Sequence, residues 1–90
     1  MELSMRVRTL RLILGLTQEE LAAKADISRV TMWQIEARNL LPSVELEDRL
    51  RAVLHWTPQV DALLDDLGAA LSERQHVASE QVGAPQAADR

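Results

Sequence analysis

Residues 17–36, TQEELAAKADISRVTMWQIE, constrain the fold of this chain more than any other stretch. Thr17 is a good helix N-cap, and Glu20 three positions later completes a capping box over the first turn. Leu21 and Ala22 then face inward, and Ala22 is small enough for another helix to cross closely. The run stops at Ala25 and Asp26. Ile27 plugs the core from the turn. Ser28 caps a second short helix, residues 28–36, whose inward residues Met32 and Ile35 are three apart. The pattern predicts two helices joined by a tight turn.

Arg29, Val30, Thr31, Trp33 and Gln34 are left for the other faces of that second helix. An arginine, a glutamine, a β-branched apolar residue and a hydroxyl are the side chains that read base edges in a major groove. An ordinary surface helix is richer in Glu and Lys. The stretch resembles the helix-turn-helix of the Cro and phage-repressor (XRE) family, in register and without insertion over residues 7–54. The residues carrying the resemblance are Val7-Arg8, Leu10-Arg11, Gly15-Leu16-Thr17-Gln18-Glu19-Glu20-Leu21-Ala22, Ile27-Ser28-Arg29, Ile35-Glu36 and Pro42-Ser43.

The resemblance implies an all-α, five-helix, phage-repressor-like domain that binds a double-stranded DNA operator and regulates transcription, as a Cro-like or prophage-type repressor does. The helix of residues 28–36 would enter the major groove while the preceding helix lies across the backbone. Arg29 is then the leading base reader, by a bidentate bond to guanine. Gln34 reads adenine through a similar fork, and Val30 or Thr31 packs on a thymine methyl. Trp33 either lies against sugar-phosphate or a methyl group, or shields the helix. Gln18 resembles the family's phosphate contact at a helix N-terminus, and Ser28, Arg38 and Asn39 join it as expected backbone contacts. Arg11 and Glu36 occupy positions that form a structural ion pair in many relatives. Asp26 and Arg38 depart from the family pattern, which has glycine at both places. Asp and Asn tolerate left-handed dihedrals better than most residues, so Asp26 and Asn39 are expected to carry them.

Around this centre the chain divides into three: the DNA-binding domain at 1–56, a C-terminal helix at 57–82, and a flexible tail at 83–90. Helix one is expected from Glu2 or Ser4 to Leu14, stopped by Gly15, with Leu3, Val7, Leu10 and Leu14 inward. Leu12 and Ile13 add apolar surface elsewhere, for a C-terminal helix or for a partner. Ser43 caps helix four, which buries Leu46, Leu50, Val53 and Leu54 and wets Glu45, Glu47, Asp48, Arg49 and Arg51. Trp56 is a core plug or part of an interface. Thr57-Pro58 starts helix five. Its stripe of Val60, Leu63, Leu64, Leu67 and Leu71 either folds onto the core or meets its copy in a homodimer. Asp65 and Asp66, neighbours pointing apart, are expected to be solvated.

The net charge of −4 hides an asymmetry. Residues 1–41 hold six Lys and Arg against five acids, and residues 42–90 hold four Arg against nine acids. A DNA face in the first half and an acidic face in the second fit that split. The acidic part after Asp61 also suits a protein partner, so the alternative reading is an antitoxin that autoregulates its operon and binds a toxin there. The chain has no cysteine, which excludes disulfides and thiolate metal sites. His55 and His76 lack metal-site spacing, and no serine sits in a nucleophile elbow or phosphate loop. No enzyme activity, metal or cofactor is expected. MELSMRVR carries scattered charge with no apolar run behind it, and no segment is long enough to span a membrane, so a cytoplasmic location is expected.

Overall fold

The computed structural model describes the backbone of residues 1–89 and the side chains of residues 1–73. Within them the protein is all-helical: α1 (Leu3–Ile13), α2 (Gln18–Lys24), α3 (Arg29–Arg38), α4 (Val44–Val53) and α5 (Pro58–Asp89), with no strand among the described residues.

Local chemistry accounts for where α2 to α5 begin, whereas α1 starts behind Glu2 without a side-chain cap. The Thr17 hydroxyl accepts from the Glu20 amide while the Glu20 carboxylate accepts from the Thr17 amide, a complete capping box. The Thr17 amide, then its hydroxyl, then the Lys24 charge favour the ionised form, so the Glu20 carboxyl sits below its ordinary value. Ser28, Ser43 and Thr57 each accept from the amide three residues on. The first four helix ends share a device as well. Gly15, Asp26, Asn39 and His55 all have positive φ, between 53° and 73°. Each is followed by an apolar residue whose amide bonds back into the preceding helix: Leu16 to Arg11, Ile27 to Ala22, Leu40 to Gln34 and Trp56 to Arg51. Asp26 and Asn39 carry left-handed dihedrals as expected. His55 does so too, histidine being, like Asp and Asn, several-fold enriched in that region.

The core gathers one stripe from every helix: Val7 and Leu10, Leu21, Ala22 and Ala25, Met32 and Ile35, Leu46, Leu50 and Leu54, then Trp56 and Leu64. Trp56 is a core residue, 3% exposed. Its indole N–H donates to Asp61 at 2.6 Å, and the Arg51 guanidinium stacks on its ring at 4.1 Å. Burial is the largest single influence on Asp61 and opposes its charge. The Trp56 and Arg51 hydrogen bonds, with the Arg51 and Arg6 charges, outweigh it together, so the carboxyl lies below its ordinary value.

Five expectations are corrected here. Leu14 is exposed: it is the C-cap of α1, beyond Arg11, the last buried residue of that helix. Leu12 and Ile13 do not pack on α5: Ile13 is 70% exposed. The reason is that α5 meets α1 nearer its start, where Arg6 binds Asp61 at 3.0 Å and also pairs with Asp65. Asp65 is therefore paired rather than simply solvated. Arg51 also leaves the wet side and is half-buried, whereas Arg49 stays exposed but is tied down. Arg49 donates to the Ala25 carbonyl at 2.8 Å, and Arg51 bridges Glu47 and Asp61.

The fifth correction splits the stripe of α5. Leu64 is 5% exposed and Val60 half-buried, but Leu63, Leu67 and Leu71 are exposed. At 100° per residue, the Asp61, Asp65 and Gly68 flank faces α1, where a Cβ on Gly68 would sit 3.8 Å from that of Met1. Leu67 and Leu63 turn progressively away from that flank, while Leu71, at nearly the angle of Leu64 but two turns on, lies past the last core residue of the helix. The backbone of α5 continues through residues 72–82 and on to Asp89, where Gly83 and Pro85 predict a tail. Ala84, Gln86, Ala87 and Ala88 are good helix formers there, although glycine and proline cost about 1 and 3 kcal/mol in a helix interior. Arg90 and the side chains past Glu73, His76 among them, lie outside the described residues. Among the described residues, no helix is long and apolar enough to cross a membrane.

Candidate nucleic-acid interface

Helix α3 is held from behind by charge. Arg11, on α1, donates from Nε to Glu36 Oε2 at 2.8 Å and from Nη2 to Oε1 at 3.0 Å. Its third nitrogen, Nη1, donates to the Leu16 carbonyl at 2.9 Å. Gln18 Nε2 donates to Glu36 Oε1 at 3.1 Å. One carboxylate thus joins the end of α1, the start of α2 and the last turns of α3. The Arg11 and Glu36 side chains are only 10% and 3% exposed, so the pair is nearly dry.

A second anchor comes from the opposite side. Met32 and Ile35 are fully buried beneath α3, and the Arg49 bond to the Ala25 carbonyl fixes the turn that leads into it. Nothing in the sequence marks Arg49 for this role, because its partner is a main-chain oxygen 24 positions away.

With one face buried, the helix presents the others. Arg29, Val30, Trp33 and Ala37 are exposed, and Thr31 and Gln34 are half-buried. Gln18, Arg29, Val30 and Trp33 together line an open depression of about 310 Å³. The Arg38 guanidinium lies 5.2 Å from the Trp33 ring centroid, a cation–π contact that holds one face of the indole. Among the five expected base readers, Arg29, Val30 and Trp33 are brought together. Gln34, half-buried beside Val30 at the edge of the exposed face, does not line the depression. The Thr31 hydroxyl is hydrogen-bonded to that of Ser28 at 2.9 Å, and so is committed to the N-cap.

The expected backbone contacts hold structural posts too. Ser28 caps α3. Asn39 is its left-handed C-cap, and its side chain accepts from the Ser4 hydroxyl. Gln18 is bound to Glu36, leaving its carbonyl oxygen with no partner among the described residues.

Charge around α3 is simpler than the sequence count implies. Arg6 and Arg11 are consumed by internal pairs. Arg8, Lys24, Arg29 and Arg38 remain exposed with no carboxylate partner among the described residues. No group of three or more potential metal ligands occurs among the described residues. No protein-family model, curated protein or solved structure matches the chain.

Proposed function

We propose that the protein is a sequence-specific DNA-binding transcriptional regulator, a repressor of the Cro and phage-repressor type, and that α3 is its reading helix. The observation carrying this is the pairing of a rigid mount with a free outer surface. Glu36 is fastened to Arg11 and Gln18 behind the helix, while Arg29, Val30 and Trp33 are exposed in front of it. In this reading α3 enters the major groove, and exposed Arg8, Lys24 and Arg38 neutralise phosphates on either side. Binding blocks promoter access at the operator.

Selection of bound DNA from a random pool, with the size of the complex measured alongside, tests this directly. A defined site with an inverted repeat is the expected result. Failure to enrich any sequence at low salt, with no footprint, overturns the reading. Within a defined site, Arg29→Ala is expected to lower affinity by about 1–3 kcal/mol and to relax preference at one base pair. Equal loss on specific and random DNA would instead reduce Arg29 to a backbone contact.

The exposed Leu63, Leu67 and Leu71 supply the second part of the proposal, a homodimer through α5. Leu64, buried in the core, is removed from that seam. A dimer places two reading helices about 34 Å apart, one turn of DNA. Leu67→Glu is expected to give a folded monomer in sedimentation equilibrium; an unchanged dimer mass removes α5 from the contact. If the wild-type chain alone is monomeric, the same exposed leucines favour the antitoxin reading, with a toxin as their occupant.

A further inference from the structure

Resting on the DNA-binding reading, we infer that the depression beside α3 senses the 5-methyl group of a pyrimidine that precedes a guanine. The ligand is then a 5′-pyrimidine-guanine step in duplex DNA, read in the major groove, with the methylated pyrimidine preferred over the bare one.

The inference comes from which residues the fold collects. Arg29, Val30 and Trp33 share one concavity with Gln18. Arg29 is exposed, and its guanidinium has no hydrogen-bond or ion-pair partner among the described residues. A free guanidinium at that place matches the N7 and O6 acceptors of guanine by two parallel bonds. Its immediate neighbours are apolar: Val30, 64% exposed, and Trp33, whose ring is steadied by Arg38. In a duplex the 5-position of the pyrimidine stacked on the 5′ side of a guanine faces the same groove, next to that guanine's edge. An arginine engaged on guanine therefore brings the neighbouring 5-position against the apolar wall.

Hydrogen there leaves the wall uncovered, and a methyl group fills it. Thymine supplies this group through sequence, and 5-methylcytosine supplies it through modification. Thr31, the other residue able to meet a methyl group, is half-buried with its hydroxyl tied to Ser28. Thr31 is also absent from the lining of the depression, whose apolar members are Val30 and Trp33.

The test begins from the site that the random-pool selection returns. Every thymine is replaced singly by uracil, and every cytosine before a guanine by 5-methylcytosine, with affinity read by fluorescence anisotropy on the full chain. One thymine 5′ to a guanine is expected to lose about fourfold as uracil, the worth of one buried methyl group. Cytosine at that position binds like uracil, and 5-methylcytosine recovers the affinity. Val30→Ala and Trp33→Ala each shrink the thymine-to-uracil ratio toward one, while Arg29→Ala lowers affinity for all four pyrimidines and relaxes the guanine. A defined site whose affinity ignores every methyl exchange overturns the inference and leaves the DNA-binding reading intact. A methyl effect that survives both Val30→Ala and Trp33→Ala overturns it equally. Absence of any selected site overturns both together.

Discussion

Glu36→Ala, or Arg11→Ala, lowers the stability of the domain by about 3–5 kcal/mol, the cost of leaving one buried ion without its partner. Either change strands a charge in a place solvent barely reaches: the Glu36 side chain is 3% exposed and Arg11 10%. Arg11→Ala also leaves the Leu16 carbonyl without the guanidinium that caps it. Losses of that size correspond to a fall of roughly 15–30 °C in the thermal midpoint of a small domain. Urea titration followed by circular dichroism gives the number, and a cost below about 1 kcal/mol for both single variants would show the pair to be solvated. The double variant Arg11→Met, Glu36→Leu separates two roles. A buried pair exchanged for apolar residues of similar size is often neutral in stability, so the fold is expected to recover. Gln18 has still lost its acceptor, and on the proposed function DNA affinity is expected to stay low.

Trp56→Ala carries the other large effect, an expected loss of about 3–5 kcal/mol from an emptied aromatic site. Trp56 closes the core where α4 turns into α5, and three interactions converge on it. The indole is packed to 3% exposure, its N–H is bound to Asp61, and Arg51 covers its ring. Trp56→Phe keeps the packing and the stacking but removes the N–H, so a smaller loss of about 1–2 kcal/mol is expected. Equal stability of the alanine and phenylalanine variants would assign the whole effect to the hydrogen bond. An alanine variant within 1 kcal/mol of wild type would mean that the ring is dispensable.

Local chemistry explains why much of this architecture is readable in the chain. Thr17, Glu20, Ser28, Ser43 and Thr57 act on amides three residues away, so their spacing alone places the helix starts. Met32, Ile35, Leu46 and Leu50 follow one helical face and lie in the core. What the chain concealed depends on how helices cross. Leu63, Leu64 and Leu67 are alike in sequence, and only the rotation of α5, set by Arg6 on Asp61 and Asp65, decides that Leu64 alone is buried. Arg49 reads as a solvated cation until α4 passes beside the Ala25 carbonyl. At the candidate interface, the residue types on α3 were legible. The grouping of Arg29, Val30 and Trp33 apart from Thr31 was not, since it needs the Ser28 to Thr31 hydroxyl contact to be seen.

The three-way fastening of Glu36 has a mechanical corollary. A helix bolted to two neighbours through one dry carboxylate has little room to tilt or slide when it meets a ligand. On the proposed function, the adjustment needed for a close fit then falls on the duplex, whose bending energy varies with base step. Pliable sequences between and beside the contacted bases would bind more tightly than stiff ones, so half-site spacing and flanking composition would tune regulation at positions no side chain touches.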